Sequence, residues 1–384
     1  MRIVHIITRL IIGGAQENTL LSCEGQHDRG HEVILLSGPA IGPEGSLEER
    51  ARSHGYRVEF IDEMRRSIHP LRDWITYHRL IDRLEALRPD VVHTHSSKAG
   101  IIGRWAAHRA KVPLIVHTIH GLAFTASTSA MVNLAYKMLE RRTAPITHRI
   151  VCVADSMCDQ SLAANIGRPQ QYVTVYSGME TAPFLSPPVP REQTRRRLGL
   201  ADGHIVVGTI ARLFELKGHR DLLAIAPALC GRFANLRFLW VGDGILRARF
   251  ERQIEQMQLK DRFIFAGLVP PAQVPELTAA MDILVHPSQR EGLARALPQA
   301  ALAGKPVVTY DIDGAKEAVA DGRSGFIVPA LDRAKLAERL AVLIDDSALR
   351  CSMGQAGRSL ALSRFDARGM VDALERVYAD ALCR

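Results

Sequence analysis

The sequence predicts an α/β protein with two doubly wound parallel-sheet domains in tandem, and three features of the chain indicate this fold class. Short apolar runs rich in valine and isoleucine recur along the 384 residues, with helical stretches between them. The runs are continuous rather than alternating, which indicates strands covered on both faces and therefore parallel sheets. This alternation of apolar runs and helical stretches is interrupted by four prolines between residues 183 and 190 and then resumes.

Seven strands are predicted before the prolines and six after them. The first seven are RIVHII, HEVILLSG, RVEFID, DVVHTHS, PLIVHTIHG, HRIVCVAD and VTVYSG. The next six are HIVVGTIAR, LRFLWVGDG, RFIFAGL, DILVHPS, PVVTYDI and GFIVPA. Because neither a helix nor a central strand tolerates dense proline, residues 184–190 are predicted to link a domain of residues 1–183 to a domain of residues 191–366.

The composition indicates a globular protein, since 47% of the residues are hydrophobic and 23% are charged. No apolar stretch is long enough to cross a bilayer. Six scattered cysteines without metal-type spacing suit a reducing compartment. We therefore expect a cytoplasmic protein.

Positive charge is concentrated in one part of the chain, whose net charge is +8. From Lys98 to Arg149 there are eight Lys or Arg residues and a single opposing acid, Glu140. Such a run is usually a solvated face, but it also fits contact with anionic lipid headgroups or with an anionic substrate. Aromatic residues do not interleave with it, so nucleic acid is not an expected partner.

Candidate ligand-binding residues follow the predicted strands, since ligands of doubly wound sheets bind at the carboxyl ends of strands. Two such domains facing each other across a cleft could hold two substrates. Gly13-Gly14 follows the first strand and precedes a helix; such a turn can approach an anion, although it is often purely structural. Arg212 and Lys217 follow the first strand of the second domain. Together they could hold a diphosphate from two sides, whereas either alone could be a solvated surface charge.

The stretch REGLARALPQAALAGKPVV at residues 290–308 is predicted to be a loop, a helix and a strand. Glu291-Gly292 lies in the loop, and the helix is predicted to begin near residues 294–296. Pro298 is tolerated if it lies within the first turn. Gln299 is predicted to lie about one turn deeper and to face the same region as Arg212 and Lys217.

Six motifs resemble, in family order, those of family 4 retaining glycosyltransferases of the GT-B class, which have two Rossmann-like domains. They are GGAQ at 13–16, HTHSSKAGIIGR at 93–104, HTIHGLAF at 117–124, ARLFELKG at 211–218, VGDG at 241–244 and REGLARALPQA at 290–300. Each motif alone is weak, whereas the six together span nearly the full length and are specific. The resemblance also implies that the last helix, residues 367–384, packs back on the first domain.

The resemblance implies an activity and its partners. The enzyme would move a sugar from a nucleotide diphosphate sugar, with a UDP-sugar favoured and a GDP-sugar the second choice, to an acceptor hydroxyl. The acceptor would be a glycan or a lipid-linked intermediate of cell-envelope or exopolysaccharide synthesis. A peripheral position on the inner face of an anionic membrane is consistent with the basic run. No cofactor is expected beyond the donor itself.

The resemblance further implies roles for individual residues. Arg212 and Lys217 would hold the diphosphate, and Glu291 would accept hydrogen bonds from hydroxyls of the donor sugar. His120 would contact the sugar near its reacting carbon, unless it is a half-buried structural imidazole. The catalytic set is therefore His120, Arg212, Lys217 and Glu291. The remaining donor-binding positions are Gly13, Gly14, Gly242, Leu268, Gly292, Leu293, Ala294 and Gln299, and the acceptor-side positions are His95 and Lys98.

Position 299 departs from the family pattern, which usually has glutamate there. A glutamine can still accept one hydrogen bond from a ribose and donate another. Losing a charge-assisted bond should cost about 1–2 kcal/mol of nucleotide affinity, so the site should still work. The DID sequence at 311–313 resembles a metal-binding D-x-D motif, but it leads into a glycine and is interpreted as a turn. A metal ion is therefore not implied.

Three other activities are compatible with parts of the sequence. A dehydrogenase would share the wound α/β domains, but the G-x-G-x-x-G fingerprint is missing. A nucleotide-sugar epimerase would bind the same donor without needing an acceptor. A catalytically silent sugar-nucleotide-binding subunit is suggested by Gln299 and would show no transfer to any acceptor.

Overall fold

The computed structural model describes residues 1–42, 45–125 and 128–383, and the chain divides into two compact units. The first unit comprises Met1–Met179 together with Ala367–Arg384. The second unit comprises Glu180–Asp366. A parallel β-sheet lies in each unit.

The first unit contains a seven-stranded sheet in the order β3-β2-β1-β4-β5-β6-β7. The strands are β1 Arg2–Ile7, β2 Glu32–Ser37, β3 Arg57–Phe60, β4 Val91–His95, β5 Leu114–Ile119, β6 Arg149–Cys152 and β7 Tyr172–Thr174. All neighbouring pairs are parallel. Every strand that the sequence predicts before the prolines is confirmed. Their apolar runs are continuous because helices cover the sheet on both faces.

Helices cover both faces of this sheet. They are α1 Gly14–Asp28, α2 Glu48–Ser53, α3 Pro70–Leu87, α4 Ser97–Arg109, α5 Ala130–Thr143 and α6 Asp155–Ala163. One buried cluster joins α3 and α4 to β1, β2 and β4, and includes Ile6, Leu36 and Leu80. Another lies on the opposite side and joins β1 and β5 to the C-terminal helix through Ile3, Val116 and Leu374.

The C-terminal helix, Ala367–Leu382, belongs to the first unit. It packs on α1 so closely that a Cβ added at Gly25 would lie 2.6 Å from a methyl group of Val371. The side chain of Tyr378 on this helix is fully buried. At the surface, Arg29 pairs with Asp372 at 2.5 Å. The last helix therefore completes the core of the first unit.

The second unit contains a six-stranded sheet in the order β10-β9-β8-β11-β12-β13. Its strands are β8 Ile205–Ile210, β9 Leu236–Val241, β10 Phe263–Gly267, β11 Ile283–His286, β12 Val307–Tyr310 and β13 Gly325–Val328. Every strand pair is again parallel. All six strands predicted after the prolines are confirmed.

Helices also cover both faces of the second sheet. They are α7 Ala182–Leu185, α8 Arg191–Arg197, α9 His219–Arg232, α10 Arg247–Gln256, α11 Val274–Ala280, α12 Ala296–Leu302, α13 Ala315–Ala318, α14 Arg333–Asp345 and α15 Ser347–Arg364. The C-terminal helix of the first unit is therefore α16. The core between this sheet and α9, α10 and α14 contains Trp240, Phe250 and Leu336.

The proline-rich segment differs from the prediction. The chain passes from the first unit to the second between Met179 and Glu180, before the predicted linker of residues 184–190. A short helix, α7, spans Ala182–Leu185 and buries Phe184. Pro183 is tolerated because it lies in the first turn, where its missing N–H has no partner to lose. The whole of the predicted linker is therefore part of the second unit.

The order of the strands locates the ligand-binding edge of each sheet. In the first unit the order reverses between β1 and β4, and in the second between β8 and β11. Crevices at such reversals, beyond the carboxyl ends of the strands, are where wound sheets bind ligands. The segments that follow these four strands are therefore the candidate ligand-binding segments. Among the described residues, no helix combines the length and apolarity needed to cross a lipid bilayer.

Candidate functional site

In the second unit, the loop after β8 is held against the end of β11. Gly218 has φ +78°, and a Cβ there would lie 2.0 Å from the carbonyl oxygen of Pro287. Only glycine fits both this angle and this approach. The carbonyl of Leu216 accepts a hydrogen bond from the backbone N–H of Gln289 at 2.8 Å. These contacts place Lys217 beside the residues that follow β11.

Lys217, His286 and Glu291 form a compact cluster at this point. The ammonium of Lys217 donates to Oε1 of Glu291 at 2.6 Å, and the same oxygen lies 3.0 Å from Nε2 of His286. The side chain of Glu291 is 18% exposed and that of His286 is 4% exposed. A half-buried carboxylate is thus held by a cation on one side and by an imidazole on the other.

The environment of Glu291 keeps its carboxylate ionised. Burial by itself raises the pKa, but the hydrogen bond from His286 and the charge of Lys217 outweigh it and lower the pKa from 4.5 to about 2. At neutral pH the group can therefore accept hydrogen bonds and interact with positive charge. It cannot serve as a proton donor.

The backbone around Glu291 is held by the DID segment at 311–313. The backbone N–H of Glu291 donates to Oδ2 of Asp313 at 3.0 Å, and the N–H of Gly314 donates to the carbonyl of Gly292 at 3.1 Å. Asp311 instead pairs with Lys316 at 3.0 Å. The two aspartates thus point to different partners, and the segment is a turn that positions the loop carrying Glu291.

Arg212 lies at the start of the loop after β8 and is exposed. Its guanidinium carbon is 4.9 Å from the centre of the Phe214 ring, a cation–π contact. The structure therefore places Arg212 and Lys217 on one loop but in different surroundings. Whether both contact a diphosphate stays a prediction.

Gly242 brings the ends of β8, β9 and β10 together. It has φ +131°, and a Cβ there would lie 2.2 Å from the carbonyl oxygen of Ala211. Its N–H donates to the carbonyl of Gly267 at 2.9 Å. Leu268, the next residue, is 58% exposed. Leu268 is therefore accessible, and its predicted contact with the donor stays a prediction.

The helix after Glu291 begins at Ala296, within the predicted range of residues 294–296. Pro298 lies in its first turn, as predicted. Leu293 and Ala294 are buried at the entrance to the helix. Gln299 is half-buried, and its backbone N–H donates to the carbonyl of Arg295 at 3.1 Å. Its proposed contact with a ribose stays a prediction.

In the first unit, α1 begins at Gly14 directly after the Gly13 N-cap. Gly13 is extended, with φ 179°, which any residue can adopt. An added Cβ would meet only the flexible side chain of Gln16, at 2.7 Å. The predicted glycine turn before a helix is present, but the backbone angle does not require glycine at this position.

Four histidines lie close together: His5 within β1, His93 and His95 on β4, and His120 directly after β5. His5 Nδ1 lies 2.9 Å from His95 Nε2, and His95 Nδ1 lies 3.0 Å from His120 Nε2. The ring of His93 lies beside that of His95, tilted by 30° and with ring centres 4.4 Å apart. Ring nitrogens of His5, His93 and His95 come within 4.8 Å of one another, close enough to be considered as metal ligands.

The structure shows the surroundings of the two predicted acceptor-side residues. His95 is buried, with 1% of its surface exposed. Lys98 pairs with Asp73 and donates to the carbonyl of Ser67 at 2.5 Å, which ties α4 to α3. Both side chains make contacts within the first unit, and their contact with an acceptor stays a prediction. His120 is partly exposed.

Sequence reasoning missed two residues of the cluster in the second unit. His286 ends β11, and a histidine at the carboxyl end of a buried strand could have been recognised as a site residue. Asp313 was assigned only to a turn, because its bond to the N–H of Glu291 spans 22 residues and leaves no periodic signal.

Two family models match the chain, one in each unit. Glycosyltransferase Family 4 matches residues 12–182, and Glycosyl transferases group 1 matches residues 190–360. Together they cover nearly the whole length, in agreement with the six sequence motifs.

Curated relatives extend this match. The Escherichia coli UDP-Gal:alpha-D-GlcNAc-diphosphoundecaprenol alpha-1,3-galactosyltransferase is 27% identical over 390 residues, which are 99% of this chain and 97% of that protein. The D-inositol 3-phosphate glycosyltransferase of Acidothermus cellulolyticus is 30% identical over 78% of this chain and 70% of its own length.

A similar solved structure has the same fold. Anabaena HepE in complex with UDP-glucose superposes with a TM-score of 0.84 at 21% identity, over 99% of this chain and 100% of that one. The predicted fold class, two Rossmann-like parallel-sheet domains of the GT-B type, is thereby confirmed.

Proposed function

Because the chain belongs to the group 1 glycosyltransferases of family 4, we propose that it is a retaining enzyme that uses a UDP-sugar. The observation that carries the proposal is the Lys217–Glu291–His286 cluster at the carboxyl ends of β8 and β11. It joins a cation suited to a phosphate with an ionised carboxylate suited to sugar hydroxyls. A GDP-sugar is the second choice of donor.

Arg212 and Lys217 are proposed to bind the diphosphate. A lysine ammonium has three N–H donors, and Glu291 accepts one of them, so Lys217 can bind the carboxylate and a phosphate together. The charge that develops on the leaving diphosphate is stabilised best by such preorganised cations. With two protein cations available, the proposal needs no metal ion, and turnover should survive chelation by EDTA.

Glu291 is proposed to accept hydrogen bonds from hydroxyls of the donor sugar. Its lowered pKa excludes a role as general acid, and its two contacts hold the carboxylate in one orientation. Retention then follows from front-side attack. The acceptor oxygen bonds to the anomeric carbon as the bond to the phosphate oxygen breaks, and that phosphate oxygen takes the acceptor's proton.

The donor is tested by thermal unfolding with UDP-, GDP- and ADP-sugars. A ligand that binds only the folded protein raises its melting temperature, so we expect the largest shift with a UDP-sugar. UDP is favoured because the E. coli relative is named for UDP-Gal and the HepE structure contains UDP-glucose. A larger shift with GDP-sugars would reverse the assignment of the base.

A lipid-linked acceptor is supported by exposed apolar side chains in the first unit. On α5, Met131 is 83% exposed and Leu134 is 54% exposed. Leu134 lies three residues before Lys137 on the same helix, so these two side chains are neighbours on its surface. Such a helix suits the interface of an anionic membrane, and the E. coli relative is named for a diphosphoundecaprenol acceptor. Arg104 does not contribute to this surface, because it is buried and paired with Glu140 at 2.7 Å.

The membrane contact is tested with vesicles. The protein should co-sediment with phosphatidylglycerol vesicles, and the double change Met131→Asp with Leu134→Asp should abolish this. Leu362→Asp on α15, which alters a comparably apolar exposed residue of the second unit, is the matched control. Equal binding by all three proteins would exclude α5 as the contact.

Gln299→Glu is expected to tighten nucleotide binding by about tenfold at most, if position 299 faces the ribose, because a carboxylate accepts a stronger hydrogen bond. Gln299→Ala should weaken binding but leave turnover intact at saturating donor. Calorimetry of UDP binding, beside turnover at saturation, measures both. Gln256→Glu, an exposed change on α10, controls for added charge. Loss of turnover at saturation in Gln299→Ala would instead place this residue in the chemical step.

The two alternatives, an epimerase and a catalytically silent subunit, can be distinguished from a transferase by the products that form. An epimerase would convert the UDP-sugar without any acceptor, and a silent subunit would bind it without any product. Membership of the family favours transfer over both. Release of UDP that depends on an added acceptor, followed chromatographically, distinguishes the three.

A further inference from the structure

His5 on β1, His95 at the end of β4 and His120 after β5 form a hydrogen-bonded chain that begins in the core. Nε2 of His5 lies 2.8 Å from Oε1 of Gln26 on α1. Nδ1 of His5 lies 2.9 Å from Nε2 of His95. Nδ1 of His95 lies 3.0 Å from Nε2 of His120. The chain thus runs from Gln26 through two buried imidazoles to a partly exposed one.

The buried rings are neutral, and this restricts how they can bond. Burial lowers the pKa of His5 to about 4 and that of His95 well below its usual value. A neutral imidazole has one N–H donor and one lone pair. Each buried ring that donates on one side must therefore accept on the other. As a result, the whole chain has only two arrangements, one the reverse of the other.

The two arrangements leave His120 in different tautomers. If the Gln26 carbonyl accepts from His5, then His95 donates to His5 and His120 donates to His95, so every ring carries its proton on Nε2. If instead the Gln26 amide nitrogen donates to His5, every bond reverses and His120 carries its proton on Nδ1. The orientation of one buried amide therefore decides the state of an imidazole three bonds away.

Tyr378 on α16 selects between these arrangements. Its hydroxyl lies 2.5 Å from Nδ1 of His93 and 3.3 Å from Nε2 of Gln26. Burial raises the pKa of Tyr378, so the hydroxyl keeps its proton. A phenol is a stronger donor than a neutral imidazole N–H, so in the shorter contact Tyr378 donates to His93. Its oxygen then accepts from the Gln26 amide nitrogen, and the Gln26 carbonyl faces His5.

His93 is compatible with this assignment. Its second nitrogen, Nε2, lies 2.6 Å from the hydroxyl oxygen of Thr118 and can donate to it. Each ring N–H along the route, and the hydroxyl of Tyr378, thus meets an acceptor, as buried polar groups require. The residues come from α1, β1, β4 and α16, so the C-terminal helix takes part in the network.

We propose that the chain Tyr378–Gln26–His5–His95 holds His120 as the tautomer that carries its proton on Nε2 and a lone pair on Nδ1. Gln26, His5, His95 and Tyr378 are positioning residues in this scheme. The scheme rests on the proposed transferase function and on the contact with the donor sugar that the family resemblance implies for His120. It makes this imidazole a hydrogen-bond acceptor for a substrate hydroxyl, through Nδ1. The sugar would thereby be oriented by an acceptor with a fixed direction.

The test is nitrogen NMR of the full-length protein labelled with ¹⁵N-histidine, in which protonated and bare ring nitrogens resonate far apart. Signals are assigned with His5→Gln, His95→Gln and His120→Gln variants. We expect the wild-type protein to show His5, His95 and His120 with the proton on Nε2. A proton on Nδ1 of His120, or a charged His120 at neutral pH, would overturn the scheme whatever the enzyme's activity.

Two variants test whether Tyr378 and Gln26 select the tautomer of His120, and a third variant serves as the control. Tyr378→Phe and Gln26→Leu should turn the single tautomer of His120 into a mixture and raise the KM for the donor by about tenfold or less, the effect of one hydrogen bond, with a smaller change in kcat. Thr94→Val removes a buried hydroxyl 2.9 Å from His117, outside the chain, and should leave the tautomer of His120 and the KM unchanged. An unchanged tautomer in a folded Tyr378→Phe protein would exclude selection by Tyr378.

A metal ion is the competing explanation of the cluster, because ring nitrogens of His5, His93 and His95 lie within 4.8 Å of one another. Elemental analysis of the purified protein distinguishes the two. The hydrogen-bonded chain predicts no stoichiometric metal. One equivalent of zinc that is lost in His5→Gln would overturn the scheme, since a metal would replace the bond between His5 and His95. Loss of transferase activity with the expected tautomers would refute only the proposed function.

Discussion

Lys217→Ala is expected to reduce turnover by roughly 10²–10³-fold, because it removes a preorganised cation from the leaving diphosphate. Such a factor corresponds to about 3–4 kcal/mol of transition-state stabilisation. Lys217 is held in place by Glu291 at 2.6 Å, so its charge is directed before the donor binds. Arg212→Ala should have an effect of similar size. The measurement is the rate of UDP release at saturating donor and acceptor.

Two controls separate lost catalysis from lost structure. Lys217→Arg keeps the positive charge and should retain more activity than Lys217→Ala. Arg220→Ala removes an exposed cation that pairs with Glu215 in the same segment, so it matches the change in net charge and should leave turnover close to wild type. Circular dichroism confirms that each variant is folded. Near-normal turnover of a folded Lys217→Ala protein would refute the phosphate assignment.

Glu291→Gln is expected to lower turnover by about 10²-fold while changing the affinity for free UDP little. The amide is of similar size, but it lacks the ionised oxygens that hold Lys217 and His286. The proposed partner of Glu291 is the sugar, so the affinity for the sugar nucleotide should fall more than that for the nucleotide alone. Calorimetry with UDP and with the UDP-sugar, beside single-turnover rates, measures these effects separately.

The matched control for Glu291→Gln is Glu215→Gln, an equivalent change at an exposed carboxylate in the loop after β8. It should leave both affinities and the rate unchanged. Equal losses of affinity for UDP and for the UDP-sugar in Glu291→Gln would show that this carboxylate serves the nucleotide. A pH–rate profile of the wild-type enzyme should show no step that belongs to Glu291 above pH 4, since its pKa lies at about 2.

The elements of the fold could be predicted from the sequence because their physical cause is local. A strand covered on both faces is apolar along most of its length, so runs such as RIVHII and DILVHPS can be recognised as buried strands from the sequence. The start of α12 near Ala296 was predictable for the same reason, since loop, helix and proline position are set within one turn. Lys217 and Glu291 could be selected as candidate residues because they follow predicted strands, and wound sheets bind ligands at the carboxyl ends of strands.

The proline-rich segment marks the limit of local reasoning. The prolines between residues 183 and 190 predicted a linker. In the structure, however, Phe184 is buried in the second unit, and the short helix α7 accommodates Pro183 in its first turn. The packing of the Phe184 side chain thus places this segment in the second unit. The sequence of the segment does not specify which residues this side chain packs against.

The sequence by itself determined the family, the two wound sheets and the loops that carry Lys217, Glu291 and His120. Only the tertiary structure decided that His286 and Asp313 hold Glu291, that Lys98 ties two helices together, and that His95 is buried. The bond between His5 and His95 spans 90 residues, and that between Gln26 and Tyr378 spans 352. Periodicity tells which face of an element is buried, but the partner that a buried polar group finds there depends on chain segments far away in the sequence, and only folding brings these together.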